Sequence, residues 1–578
     1  MIKVKRLICA ILCAVLCIAG CNTDQTAGGK KSAVSSVQMT EFNKDLTPAV
    51  RDDKYRTTYE IFVYSFCDSD GDGIGDINGI RSKLDYIADM GFDALWLTPV
   101  HPSSTYHKYD VDDYYAVDPA FGTMEDYEAL LAECHERGIK VYLDLVLNHT
   151  SDTHEWFKQA VEYLKQLPEG WDIDPSYCKY ADYYVFQREG SQGFAPLEGT
   201  GWYYEAQFWS EMPDLNLASE DVRNEIRDIV SFWLGKGVDG FRLDAVLYYV
   251  KDNAAANVEF LSWFKDTCRA IDPDCYLVGE AWTDRAHIAE LYPSGIDSLF
   301  EFPFAGKDGN ISRIITGDLK ASDFVVAMLK AEEAYSAENP DYVGAPFYTN
   351  HDMARSAGYY PADEGPMTKM AYAMSLLMRG NSFVYYGEEI GMKGAGIDEN
   401  KRAPMYWSDD AKAEGMCSGP PNMEEVTMKF PSLEDQMKDA SSIWNWFKET
   451  VKVRRAFPAI ARGMTSEAKG INDASVAAFY RTAEGEETVL IVMNLRADAA
   501  EKDLSGISGG PELAAVLNTD ANKVANLRCG CFSALRKNIR TLNLPPVSVT
   551  SMTATKLLPG FAKISSDVET LPFSRKNT

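Results

Sequence analysis

The chain has 578 residues, 46% of them hydrophobic and 25% charged, with a formal net charge of -29. Such a length is too great for one ordinary domain and implies two or three. The acidic surplus excludes nucleic acid and an anionic membrane surface as partners, because both repel it, and suits a neutral substrate.

The N-terminus reads as a targeting segment. Lys3, Lys5 and Arg6 form a basic start, followed by an apolar run from Leu7 to Ala19 that is too short to span a bilayer. The run ends in I-A-G-C, Ile18 to Cys21, which resembles a bacterial lipobox. Residues 1–20 are therefore expected to be a lipoprotein signal peptide, with cleavage before Cys21 and lipidation of its thiol. The protein would sit in the cell envelope, outside the cytoplasm, and touch the membrane only through the anchor. Residues 21–54, rich in Ser, Thr, Asn, Gly and Lys, read as a flexible tether. Four of the twelve cysteines fall in this N-terminal stretch; the rest are scattered, with Cys268/Cys275 and Cys529/Cys531 as local pairs. Export permits disulfides, but spacing does not fix connectivity. No Cys/His cluster has zinc-site spacing.

From about residue 57, β-rich runs (58–66, 94–100, 140–147, 238–245, 276–281, 296–301, 346–349 and 382–387) alternate with amphipathic stretches such as 124–137, 221–236 and 441–455. Eight alternations predict an α/β fold, a (β/α)8 TIM barrel. An open doubly wound sheet should carry a glycine-rich phosphate turn after its first strand, and none is present. The barrel is expected over 55–148 and 209–458. Residues 149–208 are too long for a plain loop and read as a small inserted domain after strand 3, rich in aromatics such as Tyr183, Tyr184, Trp202 and Tyr203. Short alternating runs at 476–480, 488–494, 512–516, 540–544 and 547–550 predict a C-terminal antiparallel β-sandwich over 459–558, before a polar tail, 559–578.

After the first strand comes D-S-D-G-D-G-I-G-D, Asp68 to Asp76. Carboxylates of Asp68, Asp70, Asp72 and Asp76, with the carbonyl of Ile74, repeat the first nine positions of a calcium loop. Gly79 stands where an EF-hand has its glutamate, and no regular helix precedes the loop. The reading is a Ca2+ loop without the EF-hand, in a structural role.

Polar side chains at the C-terminal ends of barrel strands converge on one site. Those ends supply Asp144, Asn148 and His149, then Arg242 and Asp244, then Glu280, then Asn350, His351 and Asp352. Three carboxylates, Asp244, Glu280 and Asp352, suit glycoside hydrolysis, which needs a proton donor and a nucleophile or activated water. Arg242, two residues before Asp244 on the same strand face, should keep it ionised; neighbouring carboxylates should raise the pKa of Glu280.

The strings D-L-V-L-N-H (144–149), G-V-D-G-F-R-L-D-A-V (237–246), Y-L-V-G-E-A-W (276–282) and F-Y-T-N-H-D (347–352) resemble the four signature regions of the α-amylase family of glycoside hydrolases. G-F-D-A-L-W-L-T-P (91–99), M-P-D-L-N (212–216) and G-N-S-F-V-Y-Y-G-E-E-I-G-M (380–392) resemble its supporting motifs, in the family's order. The resemblance implies a retaining α-glucan hydrolase acting on starch-type polysaccharide or oligosaccharide. Asp244 would be the nucleophile, Glu280 the general acid/base and Asp352 the group that grips sugar hydroxyls, with His149, Arg242 and His351 lining the same subsite. Y-H-K-Y-D (106–110) and R-A-P-M-Y-W (402–407) also resemble family segments and add His107, Tyr109, Asp110 and Arg402 as sugar contacts. Lys108 stands where relatives often have glycine. Asn148 resembles a position that holds a second calcium in many α-amylases.

The match departs after the nucleophile. Where many α-amylases continue A-A-K-H, this chain has Ala245, Val246, Leu247 and Tyr248. M-P-D-L-N, in place of Q-P-D-L-N, and Y-H-K-Y-D lean towards an α-1,4-specific amylase. A 4-α-glucanotransferase and an oligo-1,6-glucosidase or neopullulanase-like enzyme share the trio and stay open. A non-catalytic glucan-binding surface protein is disfavoured by the intact trio. The chain is expected to act as a monomer.

Overall fold

Seven parallel strands form the centre of the computed structural model: β1 (Thr57–Ile61), β2 (Ala94–Leu97), β3 (Lys140–Leu145), β4 (Gly240–Leu243), β5 (Tyr276–Gly279), β6 (Ser298–Leu299) and β7 (Ser382–Tyr385). Their order is β6-β5-β4-β3-β2-β1-β7. The expected strand at 346–349 is not a full strand. Residues 345–347 close the gap by single parallel bridges, Phe300 to Ala345 and Phe347 to Phe383. The predicted (β/α)8 barrel is thus present, with one weakly hydrogen-bonded stave. The structure describes residues 40–42, 46–496, 498, 500–505, 507, 512–519, 541–544 and 548–554. The predicted signal peptide, Cys21, most of the tether, Cys529, Cys531 and the polar tail lie outside these residues.

Strand side chains alternate between faces with period two. Tyr59, Ile61, Leu95, Leu97, Val141, Leu143, Phe241 and Leu277 face outward into the layer shared with the helices. Ala94, Trp96, Tyr142, Tyr276, Val278, Phe300, Phe347 and Phe383 fill the interior. Continuing the inward parity toward each carboxyl end gives Glu60, Asp144, Arg242, Asp244 and Glu280. The alternation that builds the core therefore delivers the polar residues to one rim. At Gly240 a Cβ would lie 2.1 Å from the Tyr276 carbonyl oxygen, so only glycine lets β4 approach β5 there.

The barrel helices carry clear boundary signals. Thr123 and Asp126 form a capping box on α1 (Met124–Glu136). Ser219 caps α2 (Glu220–Lys236), which ends on Gly237 at φ +103°. Among the described residues no helix is long and apolar enough to cross a membrane.

The insert is built on aromatic packing of Phe157 against Tyr184, Phe186 and Tyr204 and on a three-stranded antiparallel sheet, Phe186–Gln187, Tyr203–Glu205 and Phe194–Pro196. It extends past the expected end at 208: His149 bridges Asp214 and Tyr184 bridges Leu215, so its base runs to about 216.

The C-terminal region is antiparallel, as expected, with a six-stranded sheet and a two-stranded one, Ala500–Asp503 with Thr541–Leu544. One edge of the larger sheet is Thr40–Phe42, paired with Ala515–Leu517. This corrects the tether: part of it is a strand, and nearer the barrel Leu46 is buried and Lys54 Nζ lies 2.6 Å from Asp297 Oδ1. Every residue of Thr488–Asn494 is buried, as expected for a strand covered on both faces. Ala477, Phe479 and Ile491 join the barrel's core, while Ala478, Leu490 and Val492 pack with Leu504.

Arg481 pins this sheet to the barrel. Its guanidinium, fully buried, lies 3.0 Å from Glu332 on helix Ala321–Glu338 and donates to the Leu377 carbonyl, and Thr465 also bonds Glu332. Removing Glu332 strands a buried cation. Glu332→Ala should cost about 3–5 kcal/mol, whereas the apolar pair Glu332→Leu/Arg481→Met should recover most of it. Denaturant melts of the three proteins check this; equal melts for the single and double variants would contradict it.

Candidate active site

The centre of the rim is one cation. Arg242, fully buried, places Nη1 at 2.9 Å from Asp144 Oδ1 and 2.7 Å from Asp244 Oδ1, and Nη2 at 3.0 Å from Glu280 Oε2. Its guanidinium also lies over the rings of Trp96 and Tyr109. Asp144 is further held by the Trp96 indole N–H at 3.1 Å and the Tyr109 hydroxyl at 2.9 Å. These bonds make it a support for Arg242 rather than an exposed reactant.

Past Asp244 the backbone bends sharply. Ala245 has φ +49°, a conformation that side-chain-bearing residues rarely hold without support. The bend turns the Ala245 N–H onto Glu280 Oε2 at 3.2 Å, while Val246 N donates to the Glu280 carbonyl. Burial pushes the Glu280 carboxyl up to about 8, with Asp244 and Asp352 adding to the rise and Arg242 opposing it. The sequence reading named the neighbouring carboxylates as the cause; burial is the larger one.

Asp352 lies at a second pole. Arg402 Nη2 is 2.8 Å from its Oδ1 and His351 Nε2 is 3.2 Å from its Oδ2. Burial raises this carboxyl, but His351, Arg402 and Arg242 outweigh it and hold the group well below the usual carboxylate range. Two carboxyls of one pocket thus differ in charge at neutral pH: Glu280 protonated, Asp352 ionised. Tyr109 stacks on His351, ring centroids 5.4 Å apart and 10° between planes.

The remaining predicted contacts divide. His149 is buried, its Nε2 without a hydrogen-bond partner among the described residues, and its ring is 5.6 Å from Phe208. Asn148 gives its amide to Asp214 Oδ1 at 3.1 Å, tying barrel to insert. Asp110 is taken up by the hydroxyls of Ser103, Ser104 and Thr105, and the His107 Nδ1 accepts from the Tyr109 N–H. Both organise the 103–110 loop that carries Tyr109. Lys108 has φ +66°, which explains a glycine preference there; its ammonium, 2.6 Å from Asp118, holds the unusual backbone in place.

The sequence reading does not name three exposed aromatics as contacts, although it singles out Tyr248 as a departure after Asp244. Phe208 packs on Tyr248 at 4.8 Å, and Trp282 lies flat on Phe302 at 5.0 Å and 21°. Phe208, Tyr248 and Trp282 are each 40–52% exposed; Tyr248 is four residues past Asp244, Trp282 two past Glu280, and Phe208 touches Tyr248 and the His149 ring. Trp282 stood within a quoted motif; Phe208 had no signal of its own.

In the acidic loop, Asp68, Asp70 and Asp76 bring oxygens within 4.8 Å of one another, a hard-oxygen donor set that fits Ca2+. Asp72, expected as a fourth carboxylate ligand, is not in this group; it is exposed and accepts from the Ile74 N–H. Asp76 also caps the following helix through Gly79 N, and the loop is strapped by Asp68 N to Gly415 O and Ser418 N to Gly73 O. Cys268 and Cys275 are both buried free thiols.

A family profile described as "Alpha amylase, catalytic domain" matches residues 60–463. Alpha-amylase 3 of Dictyoglomus thermophilum is 38% identical over 444 residues, covering 76% of this chain and 84% of that protein. Glucan 1,6-alpha-glucosidase of Streptococcus pneumoniae is 30% identical over 528 residues, covering 81% and 95%. Among solved structures, Eubacterium rectale Amy13B superposes with a TM-score of 0.86 at 45% identity, covering 90% of this chain and all of that one.

A reaction that takes its proton from Glu280 should slow as pH rises through about 8, since the carboxyl carries its proton below that pH and loses it above. A profile of kcat/KM against pH checks this. A falling limb at the ordinary glutamate value would contradict the buried, protonated state.

Proposed function

The chain belongs to the α-amylase family of glycoside hydrolases, and from that premise we propose that it cleaves α-1,4-glucosidic bonds of starch-type glucans and maltooligosaccharides with retention of configuration. The observation that carries the reading is the division of charge in one pocket: a protonated Glu280 beside Asp244, and an ionised Asp352 across from them. Glu280 gives its proton to the glycosidic oxygen while Asp244 attacks the sugar carbon and forms a glycosyl-enzyme. Water, deprotonated by Glu280, then releases the sugar. Arg242 fixes Asp244 by their 2.7 Å ion pair, and Asp352 with His351 grips the hydroxyls of the reacting ring. His149, with its free ring nitrogen, contributes a further hydroxyl contact.

Phe208, Tyr248 and Trp282 support an acceptor side that binds by stacking on sugar faces rather than by the lysine and histidine that relatives place after the nucleophile. With M-P-D-L-N and Y-H-K-Y-D, this favours α-1,4 linkages in extended chains. We extend the proposal to location: Cys21 carries a lipid that tethers the enzyme to the cell envelope.

Glu280→Gln should lose about 10²–10⁴-fold in hydrolysis while still binding maltooligosaccharide, and undiminished turnover would end the assignment. Wild-type enzyme should release a spread of short maltooligosaccharides from amylose and leave isomaltose intact. Longer products from maltotriose would indicate a transferase instead, and glucose from isomaltose an α-1,6 enzyme. The same activity should move from the membrane to the soluble exported fraction in Cys21→Ala.

We also propose that Asp68, Asp70 and Asp76, with the Ile74 carbonyl, hold a structural Ca2+, whose role is to neutralise the clustered carboxylates and stiffen the loop after β1. Ion emission should find about one calcium per chain. At a hundredfold excess over Kd the ion should add about 2.7 kcal/mol of stability, lost to chelator and absent in Asp70→Ala. No bound metal and no change in melting on chelation would refute the site.

A further inference from the structure

One buried acid beneath the site has no part in the mechanism above. Glu60, on β1, is 1% exposed. Its Oε1 accepts from the His351 backbone N–H at 3.2 Å and faces His351 Nδ1 at 2.7 Å. The other ring nitrogen, Nε2, faces Asp352 Oδ2 at 3.2 Å and the Tyr109 hydroxyl at 2.7 Å.

The protons on this chain can be assigned by elimination. Asp352 is ionised and can only accept. Tyr109 has a single O–H, and Asp144, 2.9 Å away and bound to Arg242, takes it. Nε2 therefore meets two oxygens that offer it lone pairs, and it must carry a hydrogen. Burial lowers the ring's own pKa to about 3, so the imidazole is neutral and Nδ1 is bare. A bare, buried Nδ1 needs a donor, and the group at 2.7 Å is Glu60. The carboxyl is fit for that role: burial holds it well above the usual range, Asp352 and Asp144 add to the rise, and the His351 N–H and Arg242 oppose it. Tyr385, paired with Glu60 in the sheet, is also buried and uncharged, its hydroxyl pushed up by the same burial.

We propose that Glu60 is a positioning residue that carries a proton, donates it to His351 Nδ1, and so fixes the tautomer whose Nε2–H points at Asp352 and at the sugar hydroxyl bound between them. The part concerning the sugar rests on the glucan-hydrolase reading; the tautomer does not. With the opposite tautomer, the Nε2 lone pair would face an ionised carboxylate at 3.2 Å, and the hydroxyl grip would lose its donor.

Nitrogen-15 spectra of the imidazoles read the tautomer directly. The chain has seven histidines, and His351→Gln identifies the relevant signals by their loss. Wild-type His351 should show a protonated Nε2 and an unprotonated, hydrogen-bonded Nδ1. A proton on Nδ1 with a bare Nε2 would overturn the proposal, whether or not the chain hydrolyses glucans. Glu60→Gln keeps an N–H donor at the same place and should retain the tautomer. Glu60→Leu keeps the bulk but no donor; it should shift the ring signals and lower kcat/KM for maltooligosaccharide about 10- to 100-fold, the cost of a buried group left unpaired, with KM rising because the grip acts on bound sugar. Leucine with unchanged ring signals and kcat/KM would also overturn it. Should the leucine variant fail to fold, the wild-type spectrum still decides. An expected spectrum in a chain that does not act on glucans would leave the tautomer standing and remove only the sugar contact.

Discussion

The site depends on how one buried guanidinium is neutralised. A cation with no exposed surface cannot remain in a barrel without close counter-charge, because desolvation costs several kcal/mol. Arg242 meets this with the carboxyls of Asp144 and Asp244, both on Nη1. A third carboxyl, Glu280, lies 3.0 Å from Nη2. Burial, with Asp244 and Asp352 adding to the rise, outweighs the pull of Arg242 and keeps the Glu280 carboxyl protonated at neutral pH.

Asp352 escapes the same fate because it has its own cation. Arg402, on the loop after β7, reaches it at 2.8 Å and is itself steadied by the Tyr106 hydroxyl. The two poles are linked through the Tyr109 hydroxyl, which touches Asp144 on one side and His351 on the other. Beneath them Glu60, Trp96 and Asp144 continue the inward parity of β1, β2 and β3. The network is polar and most of its members are paired, though Arg242 Nε and His149 Nε2 make no hydrogen bond among the described residues; the paired ones favour a single arrangement of the cluster.

Much of this was legible in sequence, for a physical reason. A parallel barrel repeats one local rule, and the period-two alternation that ends in Arg242, Asp244 and Glu280 is written in a few consecutive letters. What escaped depends on distant pairing. Thr40–Phe42 has no periodicity of its own; its strand state comes from Ala515–Leu517 across the whole chain. The stave at 345–347 is held by two bridges and lacks the run of hydrogen bonds that strand patterns reflect. Asp72 fits the spacing of a calcium loop, yet its carboxylate closes a local turn on Ile74. Glu60 sits visibly in an apolar strand, but its meaning comes from His351, 291 positions away. Asp110, which the motif pointed to, also accepts from three hydroxyls of its own loop, partners that spacing alone does not display.

The insert and the loop after β4 form the other dependent pair. Phe208 from the insert rests on Tyr248, and Lys251 Nζ reaches Gln207 Oε1 at 2.7 Å. Two segments far apart in sequence thus build one wall beside Asp244, and its faces are aromatic where hydrogen-bonding side chains would discriminate by direction. Stacking on a ring face rewards area and tolerates rotation about the ring normal, so aromatic faces discriminate less by direction than hydrogen-bonding groups do. Phe302 backs Trp282, and the turn at Ala245 leads into the loop that carries Tyr248. The departure at Leu247 and Tyr248 is therefore a change in the kind of surface four residues past Asp244, made where the insert packs against it through Phe208.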